Sequence, residues 1–121
     1  MKYLVDTNIF IYHFNQDKIA TTFLENNSGN YAISFVTFIE LLSFPDLSEA
    51  IAYEIRAFLD TLEVIATNTQ IIENCIHNRK IKKIKLADNI IASTAKSLKM
   101  TLVTRNIDDF KSLDIDVLNP F

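Results

Sequence analysis

The stretch Tyr3-Leu4-Val5-Asp6-Thr7-Asn8-Ile9 decides how the rest of the chain is read. An apolar run of strand length passes straight into Asp, Thr and Asn, side chains that favour the start of a helix. The alternation continues outward from there. Residues 9–14 and 19–24 read as helices, the polar stretch 26–30 as a turn, and 31–34 as a second strand. A helix over 37–44 is expected to stop at Pro45, and a longer one over 48–62 carries Ser48 as its cap. A short strand at 64–65, helices over 69–80 and 86–98, a strand at 101–104 and a last one at 116–118 complete the pattern. Short apolar strands alternating with helices predict an α/β fold, a three-layer α/β/α sandwich around a central, mainly parallel sheet. In such sheets the ligand crevice lies beyond the carboxyl ends of the strands, so the polar residues just after each strand are the ones to examine.

The 121 residues suit a single domain over 1–121, with 49% hydrophobic residues, nine Phe and four Tyr to fill its core. Net charge of −3 excludes a generally basic nucleic-acid coat but not a local basic patch. The one glycine, Gly29, rules out P-loop and dinucleotide-binding loops, which need several. With one cysteine and two histidines, an intramolecular disulfide is impossible and a Cys/His zinc site is excluded in practice. Cys75, among Ile71, Ile72 and Ile76, reads as a small buried hydrophobe. No apolar run is long enough to span a bilayer, and Asp6 interrupts the N-terminus too early for a signal-peptide core, so a cytoplasmic location is expected.

Several carboxylates sit where ordinary surface chemistry does not call for them. Asp6 follows the first strand and reads as an N-cap, a role compatible with metal binding because a carboxylate has two oxygens. Between Ile33 and Phe44 the polar residues are Ser34, Thr37, Glu40 and Ser43, and the last three form one narrow polar stripe on an apolar helix. Glu40 there must face water, a partner or a cation, since burying an unpaired charge costs several kcal/mol. Asp88 lies in the first turn of a helix, where the dipole alone favours an acid. Ala92, Ser93 and Ala95 on the same helix allow close packing. Thr104, Arg105 and Asn106, followed by Asp108 and Asp109, stand beyond another strand.

Four blocks, Leu4-Val5-Asp6-Thr7-Asn8-Ile9, Ile33-Ser34-Phe35-Val36-Thr37-Phe38-Ile39-Glu40-Leu41-Leu42, Leu86-Ala87-Asp88-Asn89-Ile90-Ile91-Ala92 and Leu102-Val103-Thr104-Arg105-Asn106, together resemble the ordered motifs of PIN-domain ribonucleases. The short chain is most similar to the VapC-type toxins of type II toxin–antitoxin pairs. The resemblance implies an endoribonuclease dependent on Mg²⁺ or Mn²⁺, with catalytic positions at Asp6, Glu40, Asp88 and Asn106. Asp6 and Asp88 would hold the metal and Glu40 would act through water. Asn106 departs from the acid usual at the fourth position, and Asp109 is close enough in sequence to substitute. Thr7, Asn8 and Thr104 match polar positions around these groups and are candidate substrate contacts. Hard divalent cations take oxygen ligands, so the shortage of His and Cys is no obstacle. The implied partners are an RNA substrate, a VapB-type antitoxin and a second copy of the chain. The dimer is suggested independently by a mean hydropathy of +0.14, with contacts expected near 9–14 or 48–62.

Arg79, Lys80, Lys82, Lys83 and Lys85 lead directly into Asp88. Such a run is either a solvated loop or a rim that steers phosphates toward an acidic pocket, with Lys80, Lys82 and Lys83 as the contacts. Tyr12, His13 and Phe14 read as core, dimer contacts or stacking surfaces for bases. A haloacid-dehalogenase phosphotransferase would need an acid where Asn8 stands, and a receiver domain a lysine where Arg105 stands. A catalytically inactive PIN-like module that binds RNA or protein remains the main rival.

Overall fold

The computed structural model describes residues 1–121. Five parallel strands, β1 (Tyr3–Val5), β2 (Tyr31–Ser34), β3 (Glu63–Ile65), β4 (Thr101–Val103) and β5 (Val117–Leu118), form one sheet in the order β3-β2-β1-β4-β5. Six α-helices cover it: α1 (Thr7–Phe14), α2 (Lys18–Asn26), α3 (Phe35–Leu42), α4 (Glu49–Leu59), α5 (Thr69–Ile81) and α6 (Leu86–Ser97). The expected α/β sandwich is the fold found. β1 pairs with β2 on one side and β4 on the other, with Tyr3 opposite Tyr31 and Thr101. The chain therefore reverses direction across the sheet at β1, and the crevice opens at the carboxyl end of that strand.

Both sheet faces are buried, and the period-two alternation of each strand divides the core. Val5, Tyr31, Ile33 and Val103 point to one face and pack with Ile9, Phe10, Leu24, Leu41 and Leu59 from α1–α4. Leu4, Ala32 and Leu102 point to the other and meet Ile91, Ala92 and Ala95 of α6 together with Phe110 and Leu113. α5 lies outside this second layer against α6.

Several boundaries differ from the sequence reading, for local reasons. α1 begins at Thr7 because Asp6 caps it, its carboxylate accepting the Thr7 N–H. α3 begins at Phe35 because the Ser34 hydroxyl caps it at the Val36 N–H, and it ends at Leu42, ahead of Pro45. α4 has Ser48 as its cap but stops at Leu59. A 3-10 helix over Ile107–Phe110 is an added element; four residues hold too little periodicity to announce it. Cys75 is half-buried rather than buried, its thiol resting on the Asn89 carbonyl of α6. No helix is long and apolar enough to cross a membrane.

Candidate active site

Asp6 sits at the carboxyl end of the central strand and is 5% exposed. Its Oδ1 accepts the Thr7 N–H at 2.8 Å, and its Oδ2 accepts the Thr104 hydroxyl at 2.7 Å and the Asn8 amide at 3.3 Å. Thr104 is fixed in turn, its oxygen accepting Asn8 Nδ2 at 3.2 Å and the Asn106 N–H at 3.1 Å. Asn8 Oδ1 accepts the Arg105 N–H at 3.4 Å, tying the ends of β1 and β4 together. Burial pushes the Asp6 carboxyl up to about 6 against the pull of these donors, and the charges of Asp88 and Glu40 push it the same way.

Glu40 approaches from α3. Its Oε1 accepts the Thr7 hydroxyl at 2.7 Å, while Thr7 Oγ1 lies 2.9 Å from the Thr37 hydroxyl. A carboxylate can only accept, so the Thr7 proton goes to Glu40 and Thr37 must donate to Thr7. This chain runs along the polar stripe expected on α3 and aims the exposed carboxylate at the crevice. Ser43, the last member of the stripe, returns its hydroxyl to the Ile39 carbonyl instead.

Asp88 enters from the first turn of α6, half-buried, with no hydrogen bond or ion pair to its carboxylate. Burial raises its pKa, followed by the charges of Asp109 and Glu40, with Lys85 opposing. Asp88 and Asp109 line one cleft of about 170 Å³ together with Lys82, Lys83, Ile84 and Lys85. Asn106 is exposed in an adjoining depression with Arg105, Asp108, Asp109 and Asn119. The fold thus gathers Asp6, Glu40, Asp88 and Asp109 at one end of the sheet and leaves the Asn106 side chain beside them. No three His, Cys, Asp or Glu side chains close into a ready-made cage for an ion.

Burial sets apart some of the expected contacts. Thr7 and Thr104 are enclosed, 8% and 0% exposed, and donate their hydroxyls to Glu40 and Asp6, which orients these acids. Asn8, half-buried, does the same with its amide. Lys82 donates its ammonium to three backbone carbonyls, whereas Lys80 and Lys83 are exposed and make no hydrogen bond or ion pair. The rings at 12–14 are not open stacking surfaces: His13 bonds Thr21, Phe14 packs on Phe58, and Tyr12 is covered by Phe121 and Arg105. Arg105 is a residue the sequence reading missed. Its guanidinium stands 4.8 Å from the Tyr12 ring centroid and 4.4 Å from that of Phe121, with none of its side-chain donors spent. Its place directly after β4 was a signal, but the ring from the far end of the chain was not foreseeable.

Residues 3–116 match the PIN domain family. A toxin–antitoxin complex from Klebsiella pneumoniae contains a chain of the same fold, 32% identical, with 99% of this chain and 98% of that one aligned at a TM-score of 0.87. VapBC2 from Rickettsia felis, bound to a DNA fragment from its promoter, aligns over 98% of both chains at 29% identity and 0.84. VapBC-1 from nontypeable Haemophilus influenzae aligns over 99% and 98% at 26% identity and 0.82. No match was found among curated proteins.

Proposed function

This chain belongs to the PIN domain family, with the fold of its VapC-type toxins, and on that premise we propose that it is a Mg²⁺- or Mn²⁺-dependent endoribonuclease hydrolysing RNA phosphodiester bonds. The observation that carries the reading is a convergence of like charges with no ion pair among them. Asp88 and Glu40 raise the proton affinity of Asp6, and Asp109 and Glu40 raise that of Asp88, yet the molecule's only ion pair is Lys111 with Asp108. Buried like charges are unfavourable unless a cation joins them. The donor set is oxygen throughout, which suits a hard divalent ion. Such an ion, Mg²⁺ above all, is commonly held by one or two carboxylates with water and substrate phosphate filling the remaining positions. That fits an open set better than a closed cage.

Asp6 and Asp88 would hold the ion, which when bound supplies charge against the scissile phosphate and acidifies water. Glu40 stands ready to orient the attacking water and take its proton, because Thr7 engages only one of its oxygens. Asp109 takes the fourth acidic position, since it shares the cleft with Asp88. Asn106 serves through its backbone N–H, which holds Thr104 on Asp6. An inactive binding module rested on the missing fourth acid, and the place of Asp109 in the cleft of Asp88 supports the enzymatic reading over it. Arg105, stacked and unspent, offers its donors to an RNA phosphate.

We further read the chain as a growth-inhibiting toxin acting in the cytoplasm, neutralised by a VapB-type antitoxin and assembled as a homodimer. Ile39, Phe44, Ile51 and Tyr53 on and beside α3 and α4 are exposed apolar side chains suited to such contacts. On α1, the other expected dimer element, Ile9 and Phe10 are buried and Ile11, Tyr12 and Phe14 are partly buried against the core.

Cleavage of RNA with Mg²⁺ or Mn²⁺ tests the enzymatic reading. Asp6→Asn and Asp88→Asn are expected to reduce cutting to background with the circular dichroism spectrum unchanged. Equal activity in excess chelator overturns the metal mechanism.

A further inference from the structure

Lys82 closes α5 and differs from the other cations of 79–85 in having spent its charge inside the molecule. Its ammonium donates to the carbonyls of Asp108 at 3.0 Å, Asp109 at 3.0 Å and Lys111 at 3.1 Å. An ammonium has three donors and no acceptor, so this set is complete. The acceptors lie at and just beyond the end of the 3-10 helix, where the Asp109 and Lys111 carbonyls have no backbone partner and that of Asp108 also accepts the Lys111 N–H. Phe110 and Leu113 bury this segment from the core side, but Asp109 itself is exposed, and its carboxylate makes no hydrogen bond. Lys82 is thus the side-chain tie from the α5–α6 corner, which carries Asp88, to the segment that carries Asp109.

We propose that Lys82 is a positioning residue: its ammonium clamps 108–111 so that the Asp109 carboxylate stands beside Asp88 and completes the cation site. The inference rests on the metal reading above and takes Lys82 out of the RNA-steering set. Simple electrostatics and the clamp make opposite forecasts. A cation next to a metal site repels the incoming ion, so a Lys82 acting by charge alone would, once removed, leave Mn²⁺ bound more tightly. A clamp, once removed, leaves Mn²⁺ bound more weakly because a ligand is no longer held in place.

The experiment follows Mn²⁺ binding calorimetrically on the full chain as wild type, Lys82→Met, Asp109→Asn and the double variant, together with amide exchange at Asp109, Lys111 and Leu113. Those N–H groups bond the Asn106, Asp108 and Phe110 carbonyls within the clamped segment. Lys82→Met is expected to weaken Mn²⁺ roughly 10-fold or more, to speed exchange at the three amides, and to add no further loss in the Asp109→Asn background. Lys82→Gln, which keeps an amide donor and is gentle on folding, should fall between. Tighter or unchanged Mn²⁺ binding in Lys82→Met overturns the proposal, as do losses that multiply in the double variant. Asp88→Asn separates the two readings. If it leaves Mn²⁺ affinity untouched, the metal reading fails and exchange alone judges the clamp: faster exchange supports it, and unchanged exchange overturns it.

Discussion

At Asp6 the fold sets burial against ionisation, and the balance has a measurable consequence. A carboxyl raised to about 6 from 3.8 is more stable protonated in the folded protein than its unfolded counterpart. Its stabilising contribution is therefore complete below pH 3.8 and is lost as pH rises through 6. A shift of two units corresponds to about 3 kcal/mol. The metal-free protein should be stabler near pH 5 than near pH 7.5 by part of that amount, and Asp88 acts in the same direction. Asp6→Asn should flatten the pH dependence and raise stability at pH 7.5. Urea midpoints in chelator across this range test it, and parallel wild-type and variant curves would refute it. A divalent cation reverses the slope, because it binds the ionised form and loses affinity as pH falls. Glu40 was legible because it broke the apolar pattern around it, whereas Asp6 and Asp88 suit ordinary helix starts and stood out only as members of the ordered set of blocks. Asp109 was legible only as an alternative, since choosing between it and Asn106 required knowing how 107–110 coils. The bonds of Lys82 were hidden for the same reason: its carbonyl partners lie at least 26 residues away.

Among the elements, α6 carries the most, because it delivers Asp88 and fills the middle of one layer. Its small residues pack closely, as Ala92, Ser93 and Ala95 had suggested. Less expected is what joins it to α5. Asn78, 2% exposed, donates at 3.1 Å to both Asn89 Oδ1 and Ser93 Oγ, and Asn89 Nδ2 donates to the Cys75 carbonyl at 2.9 Å. Buried amides like these specify one register between two helices, because any slip leaves a donor unpaired. A residue such as Asn78 looks like surface in a sequence, so the helix was legible and its inward face was not. Asn78→Ala should destabilise the protein by about 1–3 kcal/mol. It should couple non-additively with Ser93→Ala when both are followed by urea unfolding. Additive losses would mean that α5 is held by its apolar contacts alone. The strands were placed nearly to the residue because each is a short run rich in apolar side chains, and β1 and β2 pass directly into the capping side chains Asp6 and Ser34.

Over the whole molecule, strand order turns four weak local signals into one site, and strand order is what a sequence with no β-hairpins leaves unstated. Alternation announced a parallel sheet. The central place of β1 follows only from its pairing with both β2 and β4, and that pairing brings residues 6, 40, 88 and 109 to one edge. The charge distribution completes the arrangement. A chain of net charge −3 repels RNA in general, so an acidic crevice needs cations at its rim for phosphate to approach. Of the five in 79–85, Lys82 is spent on carbonyls and Lys85 acts on Asp88, which leaves Arg79, Lys80 and Lys83 exposed and unpaired. Replacing those three with Ala should weaken RNA binding several-fold and lower the salt dependence of log K by up to about 2, at roughly 0.7 per phosphate contact on a single strand. Turnover of bound RNA should hold, because these side chains act in encounter and not at the reacting phosphate. A solvated loop with no part in binding forecasts the same affinity and the same slope as wild type. Filter binding at three ionic strengths distinguishes the two, and a triple variant with an unchanged slope would remove the basic run from the RNA path.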